Sequence, residues 1–534
     1  MIDWESGRLS IDWDGLSGAA QIPLARRIYV NRNLRMAGIK AIGFDMDHTL
    51  ALYDPVPFEE LAFEETKGKL LDAGYPEELR AARYNPRFAI RGLVVDKRRG
   101  NILKMDQHRY VAKVWHGLAP IPYEERKRLY QRSAIQLGNG DFVAIDTPFS
   151  LPEIALYAVT VDIADGLKRP AKAASRITSR RTAAGTARGL STDLRKRAGR
   201  RPDYYRIYEE VRAAMDQAHA DGSIKSRIAL DPDRYLVRDP ALPATLDRMK
   251  KHGYRLFLLT NSEADYTALI MDRLLSRQLP SRPHWTDFFD VIVVRAGKPR
   301  FFQDRAQAKP IILPGAPSSD AGPSQEKPQR PGGARPRRPM PGKAFTGGGV
   351  ADLEKRLGCA GDQILYFGDH TYGDILKSKR VRFWRTAMVV QELEREIATL
   401  ERCCESLAEV RRLVDRREEL EFISDFLDRA PEGHAVLPQG LTRRQARSAS
   451  GAITQEIDRL DARVAGLEDQ CEREHNPHWG PLFRTGRELS HFAAQVRGFA
   501  CIYTSRVSNF LRYPMDRYFQ VHPDRMPHED PDRA

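Results

Sequence analysis

The chain of 534 residues carries 41% hydrophobic and 30% charged side chains, which suits a globular protein of two or three lobes and excludes a disordered or fibrous one. A net charge of +14 invites a nucleic-acid reading. No run of about 18 apolar residues is present, which excludes a membrane-spanning helix.

The start, "MIDWESGRLSIDWDG", is polar and acidic, unlike a signal or transit peptide. Next comes "AIGFDMDHTLALY", an apolar run that climbs to Asp45 with Asp47 two residues on. The interval from there to "YRLFLLTNS" exceeds a normal crossover, so another lobe is expected inside it. Within that interval, residues 168–201 hold twelve Lys/Arg against the single Asp193. Residues 304–343 hold eight basic against three acidic side chains. These two segments together carry more than the whole net charge and are poor in large apolar residues. The basic excess therefore belongs to two expected flexible insertions, read first as solvated loops and only second as a nucleic-acid contact.

Four short β-rich runs, "IKAIGFDMD", "YRLFLLTNS", "FDVIVVRAG" and "QILYFGDH", alternate with amphipathic segments such as "PDYYRIYEEVRAAMDQAHADG". Continuous apolar strands separated by helices predict a parallel sheet covered on both faces. In such sheets ligands bind beyond the carboxyl ends of the strands. Farther on, Leu393, Ile397, Leu400, Cys404, Leu407 and Val414 follow heptad spacing, and Ile453, Ile457, Leu460, Val464, Leu467 and Cys471 repeat it. They predict an antiparallel helical hairpin. The five cysteines (Cys359, Cys403, Cys404, Cys471 and Cys501) show no metal-pair or disulfide spacing, as expected in a reducing cytoplasm.

All four strand ends carry candidate chemistry. Asp45 and Asp47 follow the first; Thr260, Asn261 and Ser262 the second; Lys298 the third; Asp369 and Asp374 the fourth. A phosphoryl group needs a nucleophile, a cation to neutralise its oxygens, and donors that hold them. Asp45, Asp369 and a backbone carbonyl at Asp47 suit Mg²⁺, which favours oxygen ligands. Thr260 and Lys298 supply a hydroxyl and a positive charge. Each element alone is weak: D-x-D arises by chance, and a Thr ending a strand often caps the next helix. Four in this order, each ending an apolar strand, reverse that balance. An EF-hand reading fails, because no alternating oxygen ligands or turn glycine follow Asp47.

The order Asp-x-Asp-x-Thr, Thr, Lys, Gly-Asp…Asp resembles the haloacid dehalogenase superfamily of phosphohydrolases. "GFDMDHTLALY", "LFLLTNSEADYT", "GKPRFF", "ILYFGDHTYGDILKSK" and "RMPHE" are similar to the cytosolic purine 5′-nucleotidase family. The resemblance implies an α/β fold: a Rossmann-like parallel-sheet hydrolase core with an inserted cap domain and a C-terminal helical hairpin. The expected layout places core at 1–118, cap at 119–202 with a flexible basic segment at 165–202, and core again at 203–303. A flexible Pro/Gly-rich insertion at 304–349, core at 350–390, hairpin at 391–475 and a segment packing on the core at 476–534 complete it.

The resemblance also implies roles. Asp45 is the nucleophile that becomes an aspartyl-phosphate, Asp47 the acid/base, and Asp374 the support of Lys298 or of the cation's surroundings. Phosphotransfer to another nucleoside is implied as a side activity. Arg212, Asp216 and His219 stand at i, i+4 and i+7 of one helix. Spacing alone leaves a surface ion pair with a bystander histidine equally open. The resemblance makes them substrate contacts, together with Lys225 and with Phe149 stacking on a purine. Ser150 stands where the family has Asn, which leaves the base preference open. The expectation is a cytoplasmic, Mg²⁺-dependent nucleotidase for purine monophosphates, a dimer or tetramer with no membrane contact. The alternatives are a phosphatase for another monoester, or an RNA-associated protein using its basic insertions.

Overall fold

Nine strands make the central sheet of the computed structural model, which describes residues 2–3, 8–9, 21–131, 135–137, 139–166, 202–314, 342–429 and 442–523. In spatial order they are Lys309–Pro310, Ala344–Thr346, Val291–Val294, Arg255–Leu259, Ala41–Phe44, Ile364–Gly368, Arg385–Val389, Ile502–Thr504 and Tyr29–Val30. Only the two edge pairings are antiparallel; every inner pair is parallel. The fold is thus mixed α/β around a parallel-rich sheet. The four strands expected from sequence lie side by side at its centre. Beyond Ala41–Phe44 the chain first builds outward to one side, then returns to build the other, so this strand sits where the strand order reverses. That is where open parallel sheets present ligand crevices.

Burial on both faces explains why these strands read as unbroken apolar runs. Ile42, Phe44, Leu256, Leu258, Leu365 and Phe367 pack into one cluster. The alternating residues Ala41, Phe257, Leu259, Ile364 and Tyr366 pack into another on the opposite face. Gly43 is required by this packing, because a Cβ there would lie 2.0 Å from the Phe257 ring.

A second sheet is antiparallel, in the order Phe142–Ala144, Val94–Asp96, Asn101–Met105, Val111–His116, Ala119–Pro120. Its core joins Leu93, Val95 and Ile102 to Phe63, Leu70, Ile154, Tyr157, Tyr208, Val211 and Trp479. The helices Pro55–Asp72 and Tyr204–Ala220 belong to both lobes: Phe58 and Met215 sit in the central core, Phe63 and Val211 in the second. The second lobe therefore draws on residues well before 119 and after 203, where the expected layout put the cap at 119–202.

Three further departures concern the second half. The segment 304–349, expected to be a flexible insertion, supplies two strands of the central sheet at its ends, Lys309–Pro310 and Ala344–Thr346. Its middle, and the basic run 168–201, lie outside the described residues. The hairpin consists of Cys404–Arg429 against Arg443–His475. Arg463 pairs with Glu409 and Arg417 with Asp461, which makes the two helices antiparallel. Leu393 and Ile397 are buried, but the expected heptad phase is off by one residue from Leu400 on, since the chain breaks at Cys403 between two helices. Cys403 and Val410 are buried while Leu400 and Cys404 are exposed. The C-terminal segment does more than pack on the core, for Ile502–Thr504 is a strand of the central sheet.

Candidate active site

Asp45 extends its strand by one hydrogen bond, from its N–H to the Phe367 carbonyl at 2.9 Å. Asp369, next to the end of the neighbouring strand, is thereby set beside it. Met46, between the two acids, is fully buried in the core. Lys298 Nζ donates to Asp374 Oδ1 at 2.8 Å and to the Tyr366 hydroxyl at 3.1 Å, and lies 2.7 Å from Asp45 Oδ2. All three of its protons are engaged within the protein. Lys298 thus clasps the carboxylates of Asp45 and Asp374 in this structure. Gly368 makes the arrangement fit, because a Cβ there would lie 2.4 Å from the Asp374 Cβ.

Burial pushes the Asp45 carboxyl upward; Lys298 opposes that, while Asp374 and Asp47 add to it. Burial also raises Asp369 well above the usual carboxylate range, again with Asp374 and Asp45 adding. Like charges crowded out of water call for a cation. Oxygens of Asp45, Asp369 and Asp374 lie within 4.8 Å of one another, and Asp369 Oδ2 is buried with no hydrogen-bond partner. That orphaned atom in an all-oxygen set fits a hard divalent ion. Asp45 and Asp369 would hold it, while Asp374 is committed to Lys298.

Both oxygens of the Asp47 carboxylate accept hydrogen bonds. Its Oδ1 accepts from the Tyr53 hydroxyl at 2.6 Å and its Oδ2 from Ser262 Oγ at 2.8 Å. Tyr53 shares a second bond of 2.9 Å with the Tyr266 hydroxyl. Thr260, fully buried, accepts from the Ser262 N–H at 3.1 Å and keeps its own proton to donate. Asn261 bridges two loops. Its amide donates to the Lys298 carbonyl at 3.1 Å and its oxygen accepts the Lys298 N–H at 2.7 Å.

The expected substrate residues form an adjoining group. Phe149 stacks edge-on against His48 at 4.6 Å and His219 at 5.5 Å. Both imidazoles are kept neutral by burial, His48 down to about 3 and His219 down to about 4. Each has a buried Nε2 with no partner. Arg212 bonds Asp216 at 3.3 Å, as a helix pair should, and also reaches the buried Glu153 at 2.9 Å. Lys225 lies 3.3 Å from Glu263 and over the Tyr266 ring at 5.4 Å. This group connects to Asp47 through Tyr53, whose ring packs on His48. Sequence reasoning missed Tyr53, Tyr266, Tyr366 and His48. Tyr366 was hidden inside an apolar strand, and His48 offered only its place directly after Asp47.

The model of the 5′ nucleotidase family matches residues 28–531. The chain belongs to the 5′ nucleotidase family. The human 5′-nucleotidase domain-containing protein 2 is 28% identical over 521 residues, covering 94% of this chain and 85% of that protein. Its rat counterpart is also 28% identical over 521 residues, with 80% of that protein covered. A 5′-nucleotidase domain-containing protein of Dictyostelium discoideum is 28% identical over 511 residues, covering 94% of this chain and 74% of its own length. A member of the 5′ nucleotidase family is a phosphoric monoester hydrolase. Among the described residues no helix is long and apolar enough to cross a membrane.

Proposed function

We propose that this nucleotidase hydrolyses purine nucleoside 5′-monophosphates, IMP- or GMP-like, by the two-step route of haloacid dehalogenase-type enzymes, with the second lobe as its cap. One observation carries the reading. Four strand ends far apart in sequence converge on a buried carboxylate cluster whose lysine is already engaged and whose Asp369 Oδ2 is left without a partner.

In the first step an Asp45 oxygen attacks phosphorus, the bond to the 5′-oxygen breaks, and Asp47 protonates that leaving oxygen. In the second, Asp47 takes a proton from water, which attacks the same phosphorus. Phosphate departs and Asp45 is regenerated. Lys298 favours the ionised nucleophile against its burial, and Tyr53 with Ser262 fixes the angle of Asp47. Thr260 holds a phosphoryl oxygen with its free hydroxyl proton. Mg²⁺, when bound by Asp45, Asp369 and the Asp47 carbonyl, would neutralise charge between nucleophile and phosphate. The base would lie against the group of Phe149, His48 and His219, whose two buried ring nitrogens lack partners. Transfer of the phosphate to a second nucleoside is the side reaction this intermediate permits. The cysteines, all free, suit a cytoplasmic enzyme, and the hairpin suits self-association into a dimer or tetramer.

The test is Asp45→Asn assayed with IMP, GMP, pyrimidine monophosphates and simple phosphate monoesters. Phosphate release should fall by about three orders of magnitude or more with folding unchanged. Near-full activity removes Asp45 as nucleophile. Equal or better turnover of non-nucleotide esters by the unaltered protein removes the nucleotide as substrate.

A further inference from the structure

Arg91 is a charged side chain that the chemistry above does not use, yet only 2% of it is exposed. It leads into the second sheet just before Val94–Asp96, so it belongs to the inserted lobe. Its Nε and Nη2 grip both oxygens of Glu392, at 2.7 and 2.5 Å. Its plane lies 4.9 Å from the Phe492 ring. With the fork fixed by carboxylate and ring, Nη1 points one way only, and donates at 3.0 Å to the backbone carbonyl of Asp369. Gly92, at φ +83°, permits this approach, because a Cβ there would meet the Phe492 Cβ at 2.5 Å.

A second approach lies at the next residue. Gly92 N–H donates to the Ile145 carbonyl at 2.6 Å, and Asp146, its neighbour, lies 3.6 Å from His370 Nε2. The inserted lobe therefore bonds the Asp369 backbone through Arg91 and brings the Asp146 carboxylate near the next residue, His370. The residue so bonded, Asp369, is the one whose Oδ2 is buried and unpartnered beside Asp45 and Asp374. A bidentate guanidinium is the side chain able to fix such a loop by angle as well as distance.

We propose that Arg91 is a positioning residue through which the inserted lobe sets Asp369 to receive a divalent cation. The proposal rests on the reading above that Asp369 helps to hold the ion. Groups behind a metal ligand tune affinity by about 10–100-fold.

The test measures Mg²⁺ binding to the full-length protein without nucleotide, by calorimetry and by the Mg²⁺ dependence of thermal unfolding. Arg91→Ala should weaken binding about 10-fold or more, with Glu392→Gln weakening it less. Arg91→Lys should fall between the unaltered protein and Arg91→Ala, since one ammonium cannot span Glu392 and the carbonyl together. In kinetics the Arg91→Lys defect should shrink as Mg²⁺ is raised. Variants that unfold at lower temperature yet bind Mg²⁺ as the unaltered protein does would show a merely structural tie and overturn the proposal. If Arg91→Ala does not fold, Glu392→Gln decides in the same way. Asp369→Asn separates the two ideas. If it binds Mg²⁺ undiminished, the cation reading fails and takes this one with it. If it alone loses Mg²⁺, only the role of Arg91 falls.

Discussion

The strand-end site and the helical hairpin are both held by ion pairs between residues far apart in sequence, but they use charge in opposite ways. Lys298 and Asp374 meet with side chains only 4% and 2% exposed. Arg463 and Glu409 meet with 61% and 36% exposed. In the site the charged side chains are almost wholly buried, so every charge depends on its partner. On the hairpin, water screens each pair, and the seam is specified by Val410, Val464 and Leu467 packing between the helices.

Substitutions can break or sharpen that contrast, and the largest effect should come from the site. Lys298→Met leaves Asp45 and Asp374 buried without their cation, and should cost about 3–5 kcal/mol of stability in denaturant unfolding. A loss below about 1 kcal/mol would show that the cluster is wet, like the hairpin. The lobe boundary offers a buried carboxyl, Glu59, that makes no ion pair among the described residues. Burial raises Glu59 from its ordinary 4.5 to about 8, against a bond from Tyr84 and with Glu392 and Asp54 adding. The folded state thus keeps a proton that the unfolded chain releases between those values. Stability at Glu59 is full below pH 4.5 and falls as pH rises toward 8, by up to about 1.4 kcal/mol per unit. Glu59→Gln should flatten that slope in unfolding measured across the window.

At the adjoining pocket, His219→Ala removes one hydrogen-bonding ring nitrogen beside Phe149. It should raise KM for IMP roughly tenfold with kcat little changed, the size of one net hydrogen bond. A fall in kcat alone would place His219 in the chemistry instead. On the hairpin, Arg463→Ala should cost less than about 1 kcal/mol, and still less at high salt. A larger loss would mean that the seam relies on its surface charges.

Much of the site was legible because a parallel sheet writes itself plainly. Its central strands are buried on both faces, so the apolar runs are continuous and their polar ends stand out, as at Asp45, Thr260 and Asp369. The second sheet escaped notice because its strands carry buried charge. Lys104 lies inside Asn101–Met105, with its ammonium donating to the Trp479 and Pro481 carbonyls at 2.6 and 2.7 Å. Lys97 stacks over the Tyr205 ring at 4.0 Å and pairs with Glu209. Those partners come from over a hundred residues away, and without them "VVDKRRGNILKM" reads as polar loop. The heptad phase slipped for a local reason: nothing in "LERCCESL" announces that one helix ends at Cys403 and another starts beside it.

By itself the sequence determined the strands, their order of chemistry and the residue types at each end, since these follow from apolar period and composition. Only tertiary structure decided what each polar group does. Lys298 clasps two carboxylates, Asn261 ties loops, Asp47 leans on Tyr53 and Ser262, and Arg91 reaches from another lobe to Asp369. A buried charge or hydroxyl acts through its nearest partners, and those partners are set by packing across distances that no local pattern records.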